Sequence, residues 1–219
     1  MHRGRAGDRG RAGGDGLSGR ARIGAVVLAA GGSRRLGRPK QLVAFRGEPL
    51  VRRAARAAIG AGLDPVVVVI APGAVAVHAA VADLAVEVVE NERAATGMAS
   101  SVQEGVAAVL ARSPGAAGVA LLACDQPLLD AAHLRALLEA HRSGRRPIVA
   151  SEYGAVRGVP AILGAGILAE VVGLTGDAGA REIVRRDPSR VVAVPFPGGE
   201  LDVDRAEDLD AARRRERDG

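Results

Sequence analysis

Short runs of apolar residues alternate along the chain with segments whose apolar residues recur every three or four positions. The runs predict buried strands at 23–30, 65–71, 85–89, 118–123 and 147–150. The helical spacing predicts helices at 48–61, 73–83, 98–112 and 130–141. Because strands and helices alternate, we expect right-handed strand–helix–strand units and a mostly parallel sheet covered on both faces.

The alternation is less regular after Ser151. Here the pattern predicts short strands at 159–163, 190–194 and 200–203, and helices at 165–172, 178–186 and 206–214. No internal repeat and no linker-like segment divides the chain. We therefore expect a single domain over 23–215, a natural size for a chain of 219 residues.

Residues 1–22 differ in character from the rest. They contain six arginines and two aspartates, a balance of +4 within the chain's net charge of +5, and they show no apolar periodicity. Such a Gly/Arg-rich tail is predicted to be disordered, and it lacks the apolar segment of a secretory signal. Of an RNA-binding arm and a passive extension, the composition favours the passive extension.

The composition also excludes several classes of protein. Hydrophobic residues make up 48% of the chain but aromatic residues only 1%, which argues against sequence-specific binding of single-stranded RNA by base stacking. The single cysteine, Cys124, excludes an internal disulfide and fits a reducing cytoplasm. The four histidines lack zinc-ligand spacing, and no apolar run approaches the length of a membrane span. We therefore expect a cytoplasmic globular protein.

The loop after the first strand, Leu28–Gly37 followed by Arg38, Pro39 and Lys40, is the strongest candidate for chemistry. Its glycines let backbone N–H groups approach an anion closely, and its cationic side chains can bind phosphate oxygens. It fails the Walker pattern because Arg38 and Pro39 follow the last glycine, and it lacks the Gly-x-Gly-x-x-Gly spacing of dinucleotide-binding loops. We expect a long basic loop that binds a triphosphate; the alternative is a solvated surface loop.

Polar side chains follow three of the predicted strands, at the edge where ligands bind in an open parallel sheet. The Gly/Arg loop follows the first strand, Asn91 the third and Asp125 the fourth. A carboxylate directly after a buried strand is costly unless it has a partner. Mg²⁺ takes one or two protein carboxylates together with phosphate oxygens and water, so Asp125 is a candidate metal ligand. A helix cap or turn aspartate is the alternative.

Three further segments carry candidate groups. Asp202 and Asp204 occupy alternate positions of a predicted strand, so both would face one side, and one of them could be a second metal ligand. The segment 97–101 begins a helix, where free N–H groups and two serine hydroxyls can bind an anion. The Gly-rich segment 174–181 also begins a helix and offers Arg181 to an anionic substrate. A solvated strand end and ordinary helix capping are the alternatives.

Several motifs occur in one order between Ile23 and Leu209: LAAGGSRRLGRPKQL at 28–42, GMASSVQ at 97–103, CDQP at 124–127, GVPAIL at 158–163, LTGDAGAR at 174–181 and DVDRAEDL at 202–209. Together they resemble the molybdenum cofactor cytidylyltransferases of the MobA-like NTP transferase superfamily. The resemblance implies a three-layer α/β/α fold of the nucleotide-diphospho-sugar transferase type, with a mostly parallel, Rossmann-like sheet. It also implies Mg²⁺-dependent transfer of CMP from CTP to the terminal phosphate of molybdopterin or its molybdenum form, with release of pyrophosphate.

The resemblance also implies roles for individual residues. Arg35, Lys40 and Asp125 would be catalytic, and Asp125 and Asp204 would hold Mg²⁺. The nucleotide would lie against the first loop and two later segments, that is against Leu28, Ala29, Ala30, Gly31, Gly32, Ser33, Arg35, Lys40, Asn91, Gly97, Ser100 and Ser101. The acceptor would lie against residues of the 151–200 part, namely Gly158, Pro160, Gly176, Asp177, Gly179 and Arg181. The Leu-Ala-Ala-Gly start of the loop resembles the cytidylyl form, whereas the guanylyl form usually has Gly in place of Ala30.

The sequence departs from the family pattern at two places. Leu36 stands where Met is common, and Arg205-Ala206 replaces a Thr-Pro pair, which loses a helix-starting proline. The alternatives are nucleotidyl transfer from another NTP or to another phosphorylated small molecule, an NAD(P)H-dependent oxidoreductase, and a non-catalytic chaperone that delivers cofactor to a molybdenum hydroxylase. The missing dinucleotide motif and the few aromatic residues argue against the oxidoreductase. A molybdenum hydroxylase would be a transient partner, and we expect neither a nucleic-acid nor a membrane partner.

Overall fold

The computed structural model describes residues 22–32, 38–203 and 206–217. Apolar, largely β-branched segments form its nine strands. Their bounds are β1 Ile23–Ala29, β2 Ala44–Phe45, β3 Glu48–Pro49, β4 Val66–Ile70, β5 Glu87–Glu90, β6 Gly118–Ala123, β7 Ile148–Tyr153, β8 Val156–Gly164 and β9 Val191–Pro195. The six α-helices are α1 Leu50–Ala61, α2 Val75–Ala79, α3 Met98–Arg112, α4 Ala131–Arg142, α5 Ala180–Arg186 and α6 Ala206–Arg217. Short 3-10 helices lie at Lys40–Leu42, Ala94–Thr96, Ala165–Gly173 and Pro188–Arg190.

Seven of the strands form one sheet in the order β5-β4-β1-β6-β8-β7-β9. All neighbouring pairs are parallel except those that involve β8, which runs antiparallel to both β6 and β7. The reversal follows from the two residues that join β7 to β8, because so short a connection can only make a hairpin. This confirms the predicted α/β fold with a mostly parallel, Rossmann-like sheet.

Hydrophobic cores lie on both faces of the sheet. Alternate residues of β4 point to opposite sides: Val68 and Ile70 pack in one core, and Val67 and Val69 in the other. Helices α1 and α4 contribute to the first core, and α3 and α5 to the second. The three-layer arrangement is therefore confirmed.

Three predictions about elements need correction. The segment predicted as a strand at 200–203 has no regular structure, because the backbone N–H of Val203 donates to the carbonyl of Asp125 (2.9 Å) while its side chain is buried with Phe45 and Leu50. The expectation that Asp202 and Asp204 share a strand face is therefore wrong, and Asp204 itself lies outside the described residues. The helix predicted at 73–83 covers only Val75–Ala79, followed by turns.

Two further features differ from the sequence expectations. The small β2–β3 hairpin lies where the first helix was predicted to begin. Helix α6 continues to Arg217, beyond the predicted end at 214. The predicted tail at 1–22 falls outside the described residues except for Arg22. Among the helices that the structure describes, none is long and apolar enough to cross a membrane.

Candidate functional site

One edge of the sheet collects the candidate residues. The parallel strands β1, β5 and β6 end there, so the Gly/Arg loop, Asn91 and Asp125 all follow from the same edge, as predicted. Strand β7 ends at this edge and the antiparallel β8 begins there. Since β6 lies between β1 and β8, Asp125 sits between the predicted nucleotide side and the predicted acceptor side.

Gln41 fixes the start of the Gly/Arg loop. Its side chain is buried, and its Nε2 donates to the carbonyls of Ala29 (2.8 Å) and Gly31 (2.7 Å). The loop therefore leaves β1 in a fixed direction, with Gly31 and Gly32 exposed and Leu28 and Ala30 half-buried. The predicted loop residues Ser33 and Arg35 lie outside the described residues.

Lys40 and Asp125 form an ion pair across this edge, between Lys40 Nζ and Asp125 Oδ2. Both side chains are mostly buried, with exposed fractions of 18% and 16%. The pair joins two predicted catalytic residues that are far apart in the chain, and it gives the carboxylate the partner that its burial demands. It also aims the carboxylate at the loop that would carry a triphosphate.

The donor atoms near Asp125 suit a hard divalent cation. Carboxylate oxygens are preferred ligands of Mg²⁺, and the bond from Val203 N–H to the Asp125 carbonyl (2.9 Å) brings the backbone that follows Asp202 to the same place. Within the described ranges, no group of three acidic, His or Cys side chains converges to hold a metal by itself. A metal role for Asp125, and for Asp202 or Asp204, stays a prediction.

Gln126 joins Asp125 to the acceptor side. It is buried, and its Nε2 donates to the carbonyls of Val159 on β8 (3.2 Å) and Gly199 (2.9 Å). Cys124, the residue before Asp125, is a buried thiol whose pKa is raised, chiefly by burial. Cys124 is therefore unsuited to nucleophilic attack.

The predicted nucleotide-binding side chains after β5 bond to one another. Nδ2 of the buried Asn91 donates to the hydroxyls of Ser100 (2.8 Å) and Ser101 (2.9 Å), and the Ser100 hydroxyl contacts the carbonyls of Arg93 and Gly97. Direct contact of these side chains with a nucleotide remains a prediction. Their observed role is to fix the segment that leads into α3.

The start of α3 docks on the Gly-rich acceptor segment. The backbone N–H of Ala99 donates to the carbonyl of Gly176 (2.9 Å), so this helix-start donor is already used. Gly97 has a φ of 117°, and a Cβ on it would lie 2.3 Å from the Gly176 carbonyl group. Gln103 Nε2 donates to the carbonyls of Val172 (3.1 Å) and Leu174 (3.0 Å). The two predicted segments, 97–101 and 174–181, are thus one unit.

Tyr153 is a site residue that the sequence analysis missed. It ends β7 and lies 6.4 Å edge-on from the ring of Phe196, with its hydroxyl above Gly158. Burial raises the pKa of Tyr153; the charge of Arg181 and a hydrogen bond from it lower this pKa, while the charges of Asp202 and Asp125 raise it. The pKa of the Tyr153 hydroxyl is therefore set by burial and by charges of both signs. Only its position at the end of a strand on this edge could have indicated it.

The predicted acceptor residue Pro160 lies in a buried network. Its carbonyl accepts from the Ser151 hydroxyl (2.7 Å), which in turn accepts from Nε2 of His133 (2.7 Å). The His133 ring stacks on Phe196 at 4.1 Å, and burial lowers the pKa of His133 to about 4. The observed role of Pro160 is in this network, and its contact with an acceptor stays a prediction.

Comparisons with known sequences identify the family of the chain. A family model described as the MobA-like NTP transferase domain matches residues 25–191. The nicotine blue oxidoreductase of Paenarthrobacter nicotinovorans is 38% identical over 172 residues, which cover 74% of this chain and 81% of that protein. The probable molybdenum cofactor guanylyltransferase of Opitutus terrae is 38% identical over 125 residues, which cover 57% of this chain and 58% of that protein.

Solved structures share the fold. The crystal structure of Rv0371c from Mycobacterium tuberculosis H37Rv has a TM-score of 0.74 and 31% identity, and the match covers 88% of this chain and 98% of that one. The manganese complex of Rv0371c gives a TM-score of 0.68 and 32% identity, covering 89% and 97%. A nucleotidyl transferase from Methanothermobacter thermautotroptrophicus gives a TM-score of 0.74 and 25% identity, covering 92% and 100%. This chain belongs to the MobA-like NTP transferase family and is a nucleotidyltransferase.

Proposed function

We propose that the chain transfers CMP from CTP to the terminal phosphate of molybdopterin, with Mg²⁺ as the divalent cation and pyrophosphate as the second product. The observation that carries the proposal is the Lys40–Asp125 ion pair at the centre of the sheet edge. The pair brings a cation that can bind phosphate oxygens beside a carboxylate that can hold a metal, which supports binding of a polyphosphate with its divalent cation at this edge.

The reaction needs charge neutralisation more than proton transfer. An oxygen of the acceptor phosphate forms a bond to the α-phosphorus of CTP, and the bond from that phosphorus to the pyrophosphate oxygen breaks. The acceptor phosphate is already anionic, so no strong base is required. Lys40 and the Gly/Arg loop stabilise the charge that develops on the leaving pyrophosphate. Mg²⁺, held by Asp125 and by Asp202 or Asp204, would neutralise charge on the phosphate oxygens.

One comparison supports the proposed acceptor, and one residue of the loop supports the proposed nucleotide. The Opitutus terrae relative is named a molybdenum cofactor guanylyltransferase, which supports molybdopterin as the acceptor. Ala30, in place of the Gly usual in the guanylyl form of the loop, supports CTP. Arg181, Gly176, Asp177 and Gly179 lie in the segment docked on α3 and would bind the acceptor.

The test measures pyrophosphate release with molybdopterin and each of CTP, GTP, UTP and ATP. We expect Mg²⁺-dependent release with CTP and little with GTP, and a shift toward GTP in Ala30→Gly. Release with GTP alone in the unchanged protein would overturn the nucleotide assignment. No release with any nucleotide would favour the chaperone that delivers cofactor to a molybdenum hydroxylase.

One observation favours a second candidate. The Paenarthrobacter nicotinovorans relative, 38% identical over most of both chains, is named an oxidoreductase. Consumption of NAD(P)H without pyrophosphate release would support that activity here. The described part of the first loop, together with the sequence of the rest, lacks the dinucleotide-binding spacing, so we rank this candidate second.

A further inference from the structure

Tyr153 and Arg181 reach each other from opposite layers of the molecule. The Tyr153 ring packs with Phe196 against the core that contains α1 and α4, whereas Arg181 belongs to α5, which packs in the other core. Both side chains reach the place where β8 begins at the site edge of the sheet.

Gly158 allows the side chains of Tyr153 and Arg181 to approach each other. A Cβ built on it would lie 2.6 Å from the Tyr153 hydroxyl and 3.9 Å from Arg181 Nε. The first distance is far below a van der Waals contact, so any other residue at 158 would push the tyrosine hydroxyl away. The glycine thus leaves a space that the two polar groups share.

The charges around this space define what it can bind. Arg181 is a permanent cation, and a tyrosine hydroxyl is protonated at neutral pH and can donate a hydrogen bond. Gln126, the residue after Asp125, donates to the carbonyl of Val159, the residue after Gly158 (3.2 Å), so this position lies near the candidate metal ligand Asp125. A phenol donor beside a guanidinium, next to a cation site, suits a phosphate oxyanion.

We propose that Tyr153 and Arg181, placed over Gly158, form an anion clamp that holds the phosphate monoester of the acceptor against the metal side. The proposal rests on the proposed function, because it assigns the attacking phosphate to these groups. Tyr153 acts here as a positioning residue: the ring is anchored by Phe196, so little side-chain freedom is lost when the hydroxyl donates to the phosphate.

The chain offers a direct readout of this clamp. Tyr153 is the only tyrosine and there is no tryptophan, so tyrosine fluorescence reports on this residue alone. We suggest filling the triphosphate site with magnesium tripolyphosphate, which does not absorb light at the wavelength that excites tyrosine. Glycerol 3-phosphate, a simple phosphate monoester, is then titrated into the protein. We expect a saturable change in tyrosine fluorescence. The affinity for glycerol 3-phosphate should be about tenfold weaker in Arg181→Gln, a loss of about 1.4 kcal/mol of binding free energy. Arg185→Gln, an exposed arginine one turn later on α5, should match the unchanged protein.

Two outcomes would overturn the clamp: no fluorescence response in the unchanged protein, or equal affinity in Arg181→Gln. Gly158→Ala, checked for folding by circular dichroism, should also lose the response, and a retained response would count against the clamp. With molybdopterin as acceptor, Tyr153→Phe should raise KM with little change in kcat. A fluorescence response to glycerol 3-phosphate without pyrophosphate release from any nucleotide would support the clamp and reject the proposed reaction. Pyrophosphate release without that fluorescence response would support the reaction and reject the clamp.

Discussion

Asp125 shows how a single residue links the fold to the chemistry. It follows a strand whose residues are buried, and its charge is compensated by Lys40 from the loop across the edge. Removing one partner of such a pair leaves a mostly buried charge without its counter-ion, which costs more than losing an exposed pair.

We expect Asp125→Asn to lower kcat by about a hundredfold or more, because the metal ligand and the partner of Lys40 are both lost. The free energy of unfolding should fall by only about 1–3 kcal/mol. Asp64→Asn is the matched control, since Asp64 pairs with Arg22 at 3.0 Å with both side chains about two-thirds exposed. Activity and urea denaturation of both variants check this, and full activity in Asp125→Asn would remove Asp125 from the metal site.

The ionisation of Tyr153 tests its environment without any ligand. Burial raises its pKa and Arg181 opposes that rise, so Arg181→Gln should raise the pKa of Tyr153 further. Ultraviolet titration of the phenolate measures this directly in a chain with one tyrosine. A pKa that falls or stays unchanged would mean that the guanidinium does not act on the hydroxyl.

The sequence predicted some of these residues and not others. Asp125 and Lys40 were found because a carboxylate after an apolar strand and a lysine after a glycine-rich loop are local signals. Gln41, Gln103, Gln126 and Tyr153 were missed as positioning residues, because each acts on a backbone or side chain that only the tertiary fold brings near.

At the scale of elements, the docking of α3 on the 174–181 segment depends on Gly97. We expect Gly97→Ala to lower the free energy of unfolding by about 2 kcal/mol or more, because its φ is unfavourable for alanine and the Cβ would meet the Gly176 carbonyl. The KM for the acceptor should rise as well. Gly115→Ala is the control, since a Cβ there meets nothing within 4 Å. Equal stability of the two variants would contradict this account.

The packing of α4 on β7 should depend on pH. The native fold keeps His133 neutral with a pKa of about 4, against about 6.5 in the unfolded chain, so the unfolded state binds more protons between these values. This contribution to stability is present above pH 6.5 and is lost as the pH falls toward 4. His133→Gln should flatten the dependence of Tm on pH in this interval, and His78→Gln, at an exposed histidine, should not. Parallel curves for all three proteins would refute the role of His133.

The elements themselves were predicted where a pattern was long or uninterrupted. The bounds of α3 and β6 are confirmed to the residue. The strand at 200–203 was wrong because Val203 is buried by packing on β2, the start of α1 and α6 rather than by a sheet partner, and an apolar residue in a loop looks the same in sequence. The β7–β8 hairpin reverses one strand through only two residues, too short a signal for the alternating pattern to reveal.

At the scale of the whole molecule, the strand order places β6 between β1, which leads into the proposed nucleotide loop, and β8, which carries proposed acceptor residues. The Gly/Arg-rich tail at 1–22 carries +4 of the chain's net charge of +5 and contributes no predicted element. We expect deletion of residues 1–20 to leave Tm and kcat unchanged, as measured by thermal unfolding and pyrophosphate release. A large loss of either would show that the segment is part of the functional domain.

The most direct test of the account follows the nucleotidyl group itself. CTP labelled at its α-phosphate is incubated with molybdopterin, Mg²⁺ and the protein, and the label is located after chromatography. The account predicts that the label moves onto the pterin product, in step with pyrophosphate release, and that Asp125→Asn prevents this. A folded protein that transfers no label from any nucleotide would contradict it.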